Sequence, residues 1–422
     1  MAEKYSRATL TRNFLKTITR IKNPDEMLEE AKAEGLEKTL GVWDLIILGV
    51  GAIIGSGIFA VVGIAAAGSA DGSALGAGPA LMISMVIAAV ACIFSALCYS
   101  EFATMIPVAG GAYTYTFATL GEFAAWMVGW VLMLEYAIGF IAVACAWSNH
   151  FVQFLSGFER FLPACIAHPP VWLVNDIFSA SKILAENPDT FVPRLFGVPL
   201  CINLPAILIV LLITAILVKG TKDSTKMAGI MVFVKLAVIA LFVIAGAFFV
   251  RPDNWVPFAP NGGAGIFAGA FLIFFAYIGF DALATAAEEC KNPQKDLPIG
   301  IIGSLIITTV VYVLVALVLT GMQDTSGPVP AAFLKAPMAY CMTLAHQNWA
   351  AGLISVGSLA GLTSVLLVLE MAATRILYAM SRDHFISQRF QKLHPKFKTP
   401  ALLTWTVGWL AVVGILTLNL DV

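Results

Sequence analysis

The chain has 422 residues, of which 59% are hydrophobic and only 12% are charged, and its formal net charge is −1. A mean hydropathy of +0.87 is typical of an integral membrane protein, and the near-neutral charge gives no indication of nucleic-acid binding. The first 42 residues are charged throughout and the first apolar run is too long for a secretory signal, so no cleavable signal peptide is predicted. The seven cysteines have no metal-type spacing, so no metal site is predicted.

Nine apolar stretches are predicted to cross a lipid bilayer as helices. Numbered as the first to the ninth span, they lie at 43–66, 79–105, 121–155, 203–219, 227–250, 264–289, 298–321, 349–380 and 400–418. Lys and Arg are concentrated in the N-terminal segment and in the loops on the same side of the membrane. Because these residues mark the cytoplasmic side, segment 1–42 is predicted to be cytoplasmic, and 43–422 to be the transmembrane domain of a multi-pass protein in the cytoplasmic membrane.

The first span contains GAIIGSGIF, residues 51–59, which places weak helix formers at mid-membrane. Broken backbone at that depth is tolerated only where it is buried in protein or lines a wet cavity. One interpretation is a discontinuous helix whose free N–H and C=O groups bind a polar solute. The alternative is close helix packing through small residues.

The sixth span contains FFAYIGFDALATAAEE, residues 274–289, in which Gly279 falls at mid-span and Asp281 follows. A carboxylate inside a membrane span is costly and indicates a functional site. The first and sixth spans are five helices apart, and interruptions at corresponding positions predict an inverted five-helix repeat with a midplane site. The repeats are predicted at about 43–250 and 264–422.

These two stretches, together with CYSEFATMIPVAGGAYTY (98–115) and TRILYAMSRD (374–383), resemble amino-acid permeases of the amino acid–polyamine–organocation (APC) superfamily. The resemblance runs from about Leu36 to the C-terminus and is closest to bacterial homologues of the cationic amino acid transporter family. It implies an all-α membrane protein with the LeuT-type fold of two inverted five-helix repeats. That fold needs ten core helices, so a chain with nine spans is expected to be truncated before the last helix of the second repeat.

The resemblance also implies where the substrate binds. The family holds the substrate carboxylate on backbone N–H groups of the first interrupted helix, and helix N-termini attract anions. The substrate ammonium meets backbone carbonyls of the two interrupted helices. The predicted substrate-binding residues are Ile53, Gly55, Ser56, Gly57, Phe275, Ala276, Ile278, Asp281 and Glu370.

Two ionisable residues are candidates for proton coupling. Lys235 stands alone among apolar residues of the fifth span. It either snorkels to the cytoplasmic surface or, as in proton-coupled relatives, takes the place of a bound sodium ion and releases a proton, because burial disfavours the charged form. Glu135, in the third span, is either a charge partner or proton relay for Lys235, or a buried residue held by a neighbouring helix.

Glu370, in the eighth span, departs from related bacterial sequences, which often have an apolar residue there. It either faces the substrate side chain and favours cationic substrates, or pairs with Arg375. In the large external loop, Cys165 and Cys201 form either a disulfide or two free thiols.

The predicted function is secondary active transport of amino acids by proton-coupled symport with alternating access. The open alternatives are an exchanger, a facilitator, or a substrate-sensing membrane protein. The sequence has no nucleophile elbow, HExxH motif or metal-ligand cluster, so an enzyme is not predicted. No cofactor is expected besides the proton as coupling ion. The expected partners are an amino-acid substrate and the bilayer, and a small single-span subunit or an oligomer stays open.

Overall fold

The computed structural model describes residues 19–34, 38–69, 72, 74–156, 162–175, 191–195, 198–199 and 201–418. The regular secondary structure of this part is helical, with a two-stranded antiparallel hairpin of β1 (Arg194–Leu195) and β2 (Val198–Pro199) in the segment between the third and fourth spans. The side chain of Cys165 lies outside the described residues, so the proposed disulfide with Cys201 stays a prediction.

The described α-helices are numbered here in chain order. They are α1 (Pro24–Glu34), α2 (Val42–Ile53), α3 (Val62–Ala67), α4 (Leu81–Met105), α5 (Ala112–Thr119), α6 (Glu122–Ser156), α7 (Ala164–Ala167), α8 (Leu204–Lys219), α9 (Thr221–Ala247), α10 (Gly262–Ala276), α11 (Pro293–Met322), α12 (Ala331–Lys335), α13 (Pro337–Leu344), α14 (Asn348–Arg382) and α15 (Ala401–Thr417). A π-helical turn occupies Gly57–Val61, and 3-10 helices occupy Gly78–Ala80, Val171–Leu173, Pro252–Trp255, Asp281–Glu289 and Gln388–Gln391.

The helices account for all nine predicted spans. In the described part, six segments are long and apolar enough to cross a membrane, and the bent pair formed by Val42–Ile53 and Gly57–Ala67 makes a seventh. The fourth and ninth spans are the shorter apolar helices α8, of 16 residues, and α15, of 17 residues. At 1.5 Å per residue they are roughly 24 to 26 Å long, close to the thickness of the hydrocarbon core.

The eighth span, α14, lies at the centre of the molecule. Of the residues in its most apolar stretch, 72% are buried, which is a larger share than in the other described spans. It packs against α6, α9 and α2, while α11 packs against α2 and α4. A helix that is apolar around its whole circumference is expected to be enclosed by other helices, whereas α9 and α10 expose Phe233 and Phe267 on the outer surface.

Small residues bring several of these helices close together, as the packing interpretation of the first span predicts. A Cβ atom added to Gly300 of α11 would lie 2.7 Å from the Cβ of Leu45 in α2. One added to Gly57 would lie 2.3 Å from the Cβ and 2.8 Å from the Cα of Ala276. Gly57 therefore allows direct contact between the first and sixth spans.

Candidate functional site

The first span is interrupted at mid-length. Helix α2 ends at Ile53, Ile54 is extended (φ −77°, ψ 93°), and the chain resumes as the π-helical turn that begins at Gly57. The two halves are bent by 43° relative to each other. The predicted interruption is confirmed, and it exposes backbone carbonyls at the end of one half-helix and N–H groups at the start of the next.

The sixth span is interrupted as well. Helix α10 ends at Ala276, and a 3-10 helix starts at Asp281. Between them Gly279 has φ +116°, a backbone conformation that residues with a Cβ atom rarely adopt. A Cβ atom on Gly279 would lie 3.2 Å from the carbonyl oxygen of Ala52. The two breaks therefore lie against each other at the centre of the bundle.

Lys235 reaches the first break. Its side chain is fully buried, and its Nζ donates to backbone carbonyls of α2 and to one hydroxyl of α14. The acceptors are the carbonyl oxygens of Val50 (3.0 Å), Gly51 (3.0 Å) and Ile54 (2.7 Å), and Oγ of Ser364 (2.9 Å). An ammonium carries three hydrogens, so these four oxygens share them. The side chain does not snorkel to the surface, and it ties the fifth span to the first and the eighth.

Tyr312, in α11, was not singled out in the sequence. Its hydroxyl oxygen lies 3.0 Å from the carbonyl oxygen of Ile53 and 2.9 Å from that of Ala276. These are the last residues of the two half-helices, and both carbonyls belong to the predicted ammonium site. A hydroxyl has one hydrogen and can donate to only one of them at a time. The sequence signal was a phenol within an otherwise apolar run of the seventh span.

The sequence of the chain matches a known protein family. A profile of the family described as "Amino acid permease" matches residues 40–421. The chain belongs to the amino acid permease family.

Several relatives of this permease carry the names of different substrates. It is 42% identical over 401 residues to the methylthioribose transporter of Bacillus subtilis, covering 94% of this chain and 79% of that protein. It is 42% identical over 398 residues to the branched-chain amino acid permease BcaP of Bacillus subtilis, covering 94% and 78%. It is 36% identical over 371 residues to the chloroplastic cationic amino acid transporter 9 of Arabidopsis thaliana, covering 87% and 59%.

A solved structure supports the fold. The crystal structure of MhsT in complex with L-phenylalanine superposes with a TM-score of 0.58 at 15% sequence identity, covering 90% of this chain and 80% of that one. This confirms the predicted LeuT-type fold of the permease.

The other predicted substrate residues of the permease differ in exposure. Ile53, Gly55, Gly57 and Ala276 are buried at the two breaks, and Ser56 and Ile278 are partly exposed. Phe275 is 56% exposed. Their role in binding stays a prediction.

Asp281 lies at the second break. The hydroxyl of Tyr136 donates to its Oδ2 over 2.5 Å, and backbone amides of Gly279 and Ala282 lie near the carboxyl group. Asp281 therefore ties the turn at which the sixth span resumes to α6. Glu135, beside Tyr136, has an exposed side chain and is not among the hydrogen-bond partners of Lys235. The acidic side chain close enough to interact with Glu135 electrostatically is that of Asp281.

Glu370 is fully buried in α14 and meets Thr214 of α8, whose Oγ1 lies 2.7 Å from Glu370 Oε1. Arg375 does not pair with it. The guanidinium of Arg375 instead donates to the carboxylate of Glu289.

Ion pairs lie at the end of the bundle where the sixth and eighth spans finish. Arg382 Nη1 donates to Glu288 Oε1 over 2.7 Å, in addition to the pair of Arg375 with Glu289. These pairs join the end of the broken sixth span to the end of α14. Among the described residues, no group of three or more His, Cys, Asp or Glu side chains could hold a metal ion.

Proposed function

We propose that this permease moves amino acids across the cytoplasmic membrane by proton-coupled symport with alternating access, with its N-terminal segment in the cytoplasm. The position of Lys235 carries this proposal. The side chain lies where one protonation event acts on the backbone of the first break, which is also the backbone predicted to bind the substrate.

The two breaks fit the part that all α-amino acids share. The half-helix that resumes at Gly57 begins with N–H groups that lack intrahelical acceptors and suit a carboxylate. The half-helices that end at Ile53 and Ala276 present carbonyl oxygens, which suit an ammonium. Tyr312 contacts both of these carbonyls, so an incoming ammonium would compete with its hydroxyl or share the carbonyls with it.

Proton coupling follows from what Lys235 connects. When protonated, its ammonium holds α2 and α14 to α9 through four acceptors. When neutral, it offers fewer hydrogens and no positive charge to the carbonyl dipoles, so the three helices are held less tightly. A proton on Lys235 thus favours one arrangement of the first span, and its release favours the other.

The substrate side chain is a separate question, since the named relatives transport different molecules. Branched-chain and cationic amino acids appear in two of the names, and methylthioribose, which is not an amino acid, appears in the third. We favour an amino acid because the paired carbonyls and N–H groups match a zwitterion. A small single-span subunit or a second copy of the chain as a partner stays a prediction.

The test is uptake by the full chain reconstituted in proteoliposomes. Labelled branched-chain amino acids, labelled cationic amino acids and labelled methylthioribose are supplied in separate assays, each with and without an inwardly directed proton gradient. We expect amino-acid accumulation that requires the gradient and is abolished by a protonophore. Accumulation independent of the gradient would refute proton coupling, exchange without net uptake would indicate an exchanger, and uptake of methylthioribose alone would refute the amino-acid assignment.

A further inference from the structure

Glu370 occupies a buried site of its own where the third, fourth, eighth and ninth spans meet. Its Oε1 lies 2.7 Å from Oγ1 of Thr214, and its Oε2 has no hydrogen-bond partner in the described part of the protein. A cavity of about 80 Å³ adjoins the side chain. Apolar side chains, including Met133, Phe140 and Val407, form almost all of the cavity wall.

No cation neutralises Glu370 within the part of the chain that the structure describes. The residues lining the cavity include no Lys, Arg or His, and Tyr136 is the other ionisable group among them. Helix α15 contains no ionisable residue, and α8 contains only Lys219, which is exposed at its last position. On α14 the nearest cation is Arg375, which donates to Glu289, and on α6 Glu135 is a second acid.

The number of available hydrogens favours a neutral Glu370 side chain. Thr214 Oγ1 lies 2.7 Å from Glu370 Oε1 and 2.9 Å from the carbonyl oxygen of Val210, but the hydroxyl has one hydrogen. A protonated Glu370 can donate to Thr214, which then donates to Val210, so both contacts become hydrogen bonds. An ionised Glu370 would be a buried charge with one donor and one bare oxygen, which is strongly disfavoured.

Packing makes this contact part of the helix interface. A Cβ atom added to Gly408 of α15 would lie 2.3 Å from Thr214 Oγ1, so the ninth span closes directly over the hydroxyl. Glu370 is fully buried in this arrangement, and a movement of the fourth or ninth span away from the eighth would expose it to water. Ionisation of the carboxyl and separation of these helices therefore favour each other.

We propose that Glu370 is a proton-binding site, occupied by its proton in this conformation, and that loss of the proton separates the fourth and ninth spans from the eighth. The site is distinct from Lys235. The two proposals are independent, because Glu370 contacts neither Lys235 nor the carbonyls that Lys235 holds.

The first experiment observes the proton itself. Infrared difference spectra of the detergent-solubilised full chain are recorded at neutral pH for wild type and Glu370→Gln. We expect the wild type to show a carboxylic-acid carbonyl band that the variant lacks, and Thr214→Val to shift that band. Glu289→Gln is the matched control, since Glu289 pairs with Arg375 as a carboxylate and its replacement removes no acid band. Identical acid bands in wild type and Glu370→Gln would overturn the proposal.

The second experiment measures the consequence for the helix interface. The folded state holds the Glu370 proton, whereas an unfolded chain exposes the carboxyl and ionises it above about pH 4.3. This contribution to stability should therefore fall as the pH rises from about 4.3 until the folded state also loses the proton. Glu370→Gln has no proton to lose and should show a smaller fall. Ser148→Ala is the control, because it removes a non-titrating bond of 2.6 Å to Asn203 between the third and fourth spans. It should lower stability equally at every pH. The same pH slope in wild type and Glu370→Gln would show that the folded helix interface holds no Glu370 proton and would contradict the proposal.

Discussion

The two helix breaks are stabilised by opposite charges. At the first break the ammonium of Lys235 lies on carbonyl oxygens of the half-helix that ends there. At the second, the carboxyl group of Asp281 lies near backbone amides of the turn where the half-helix resumes and accepts a hydrogen bond from Tyr136. A helix C-terminus carries partial negative charge and an N-terminus partial positive charge. At each break, the exposed helix end is therefore matched by a side chain of the opposite charge.

The breaks also differ in what else holds them. Lys235 reaches the first break from a neighbouring helix and connects it to Ser364 of α14, whereas Asp281 belongs to the broken span itself and is held by Tyr136 of α6. Tyr312 contacts the last carbonyl on both sides. The first break therefore depends on a charged side chain from another helix, and the second on a side chain of the broken span itself that contacts α6.

The largest expected effect is that of Lys235→Ala. It leaves three buried carbonyl oxygens and a hydroxyl without their shared donor, and each buried acceptor left without a donor costs about 1–3 kcal/mol in the free energy of unfolding. Equilibrium denaturation in detergent measures it. Lys219→Ala, at an exposed helix end, is the control and should change stability little. Equal effects of the two alanines would remove Lys235 from the stabilisation of the first break.

Asp281→Asn should have the next largest effect, because the amide keeps an acceptor oxygen for the hydroxyl of Tyr136 but loses the charge that strengthens this hydrogen bond. We expect a loss of about 1.5–3 kcal/mol, the range for hydrogen bonds to charged groups, in the same denaturation assay. If Tyr136→Phe added its full separate effect to that of Asp281→Asn, the two side chains would not act as a pair.

Gly57→Ala tests the contact between the breaks. The added methyl group would lie 2.3 Å from the Cβ of Ala276, so the two half-helices must move apart, at a cost of about 1–3 kcal/mol for overpacking. Gly352→Ala, where a Cβ would meet nothing within 4 Å, is the matched control. Loss of substrate binding in a Gly57 variant is thus explained by packing alone, so backbone contacts to substrate need a different test. Equal stability of the two variants would contradict the close contact.

Tyr312→Phe should have the smallest effect on stability, about 0.5–1.5 kcal/mol for one hydrogen bond. Its effect on substrate affinity is more informative. A hydroxyl that shares the carbonyls with the ammonium would strengthen binding, and one that competes with it would weaken binding. Isothermal titration with an amino acid measures the difference against Tyr340→Phe, which removes the hydroxyl of a tyrosine in α13. Affinities equal in the two variants would place Tyr312 outside the binding site.

Much of this fold is predictable because its signals are local. Apolar runs give the nine spans, the glycines of residues 51–59 and Gly279 give the two breaks, and Lys235 stands out as a lone charge in an apolar run. The partners of these residues are not local. Tyr312 lies on a helix with no interruption, and nothing in the sequence around Glu370 indicates Thr214, which is 156 residues away. Glu135 lies near Asp281 because Tyr136, the next residue of α6, contacts Asp281 in the sixth span. Spacing along the chain does not predict this contact.

The central claim, that protonation of Lys235 couples the proton gradient to the first break, is tested most directly by Lys235→Arg. A guanidinium can also donate to carbonyl oxygens, but it does not release its proton in the working range of pH. Uptake by proteoliposomes is measured against external pH for wild type and variant. We expect the arginine variant to lose gradient-driven accumulation at every pH, whereas accumulation with the pH dependence of the wild type would show that Lys235 is a structural charge and contradict the claim.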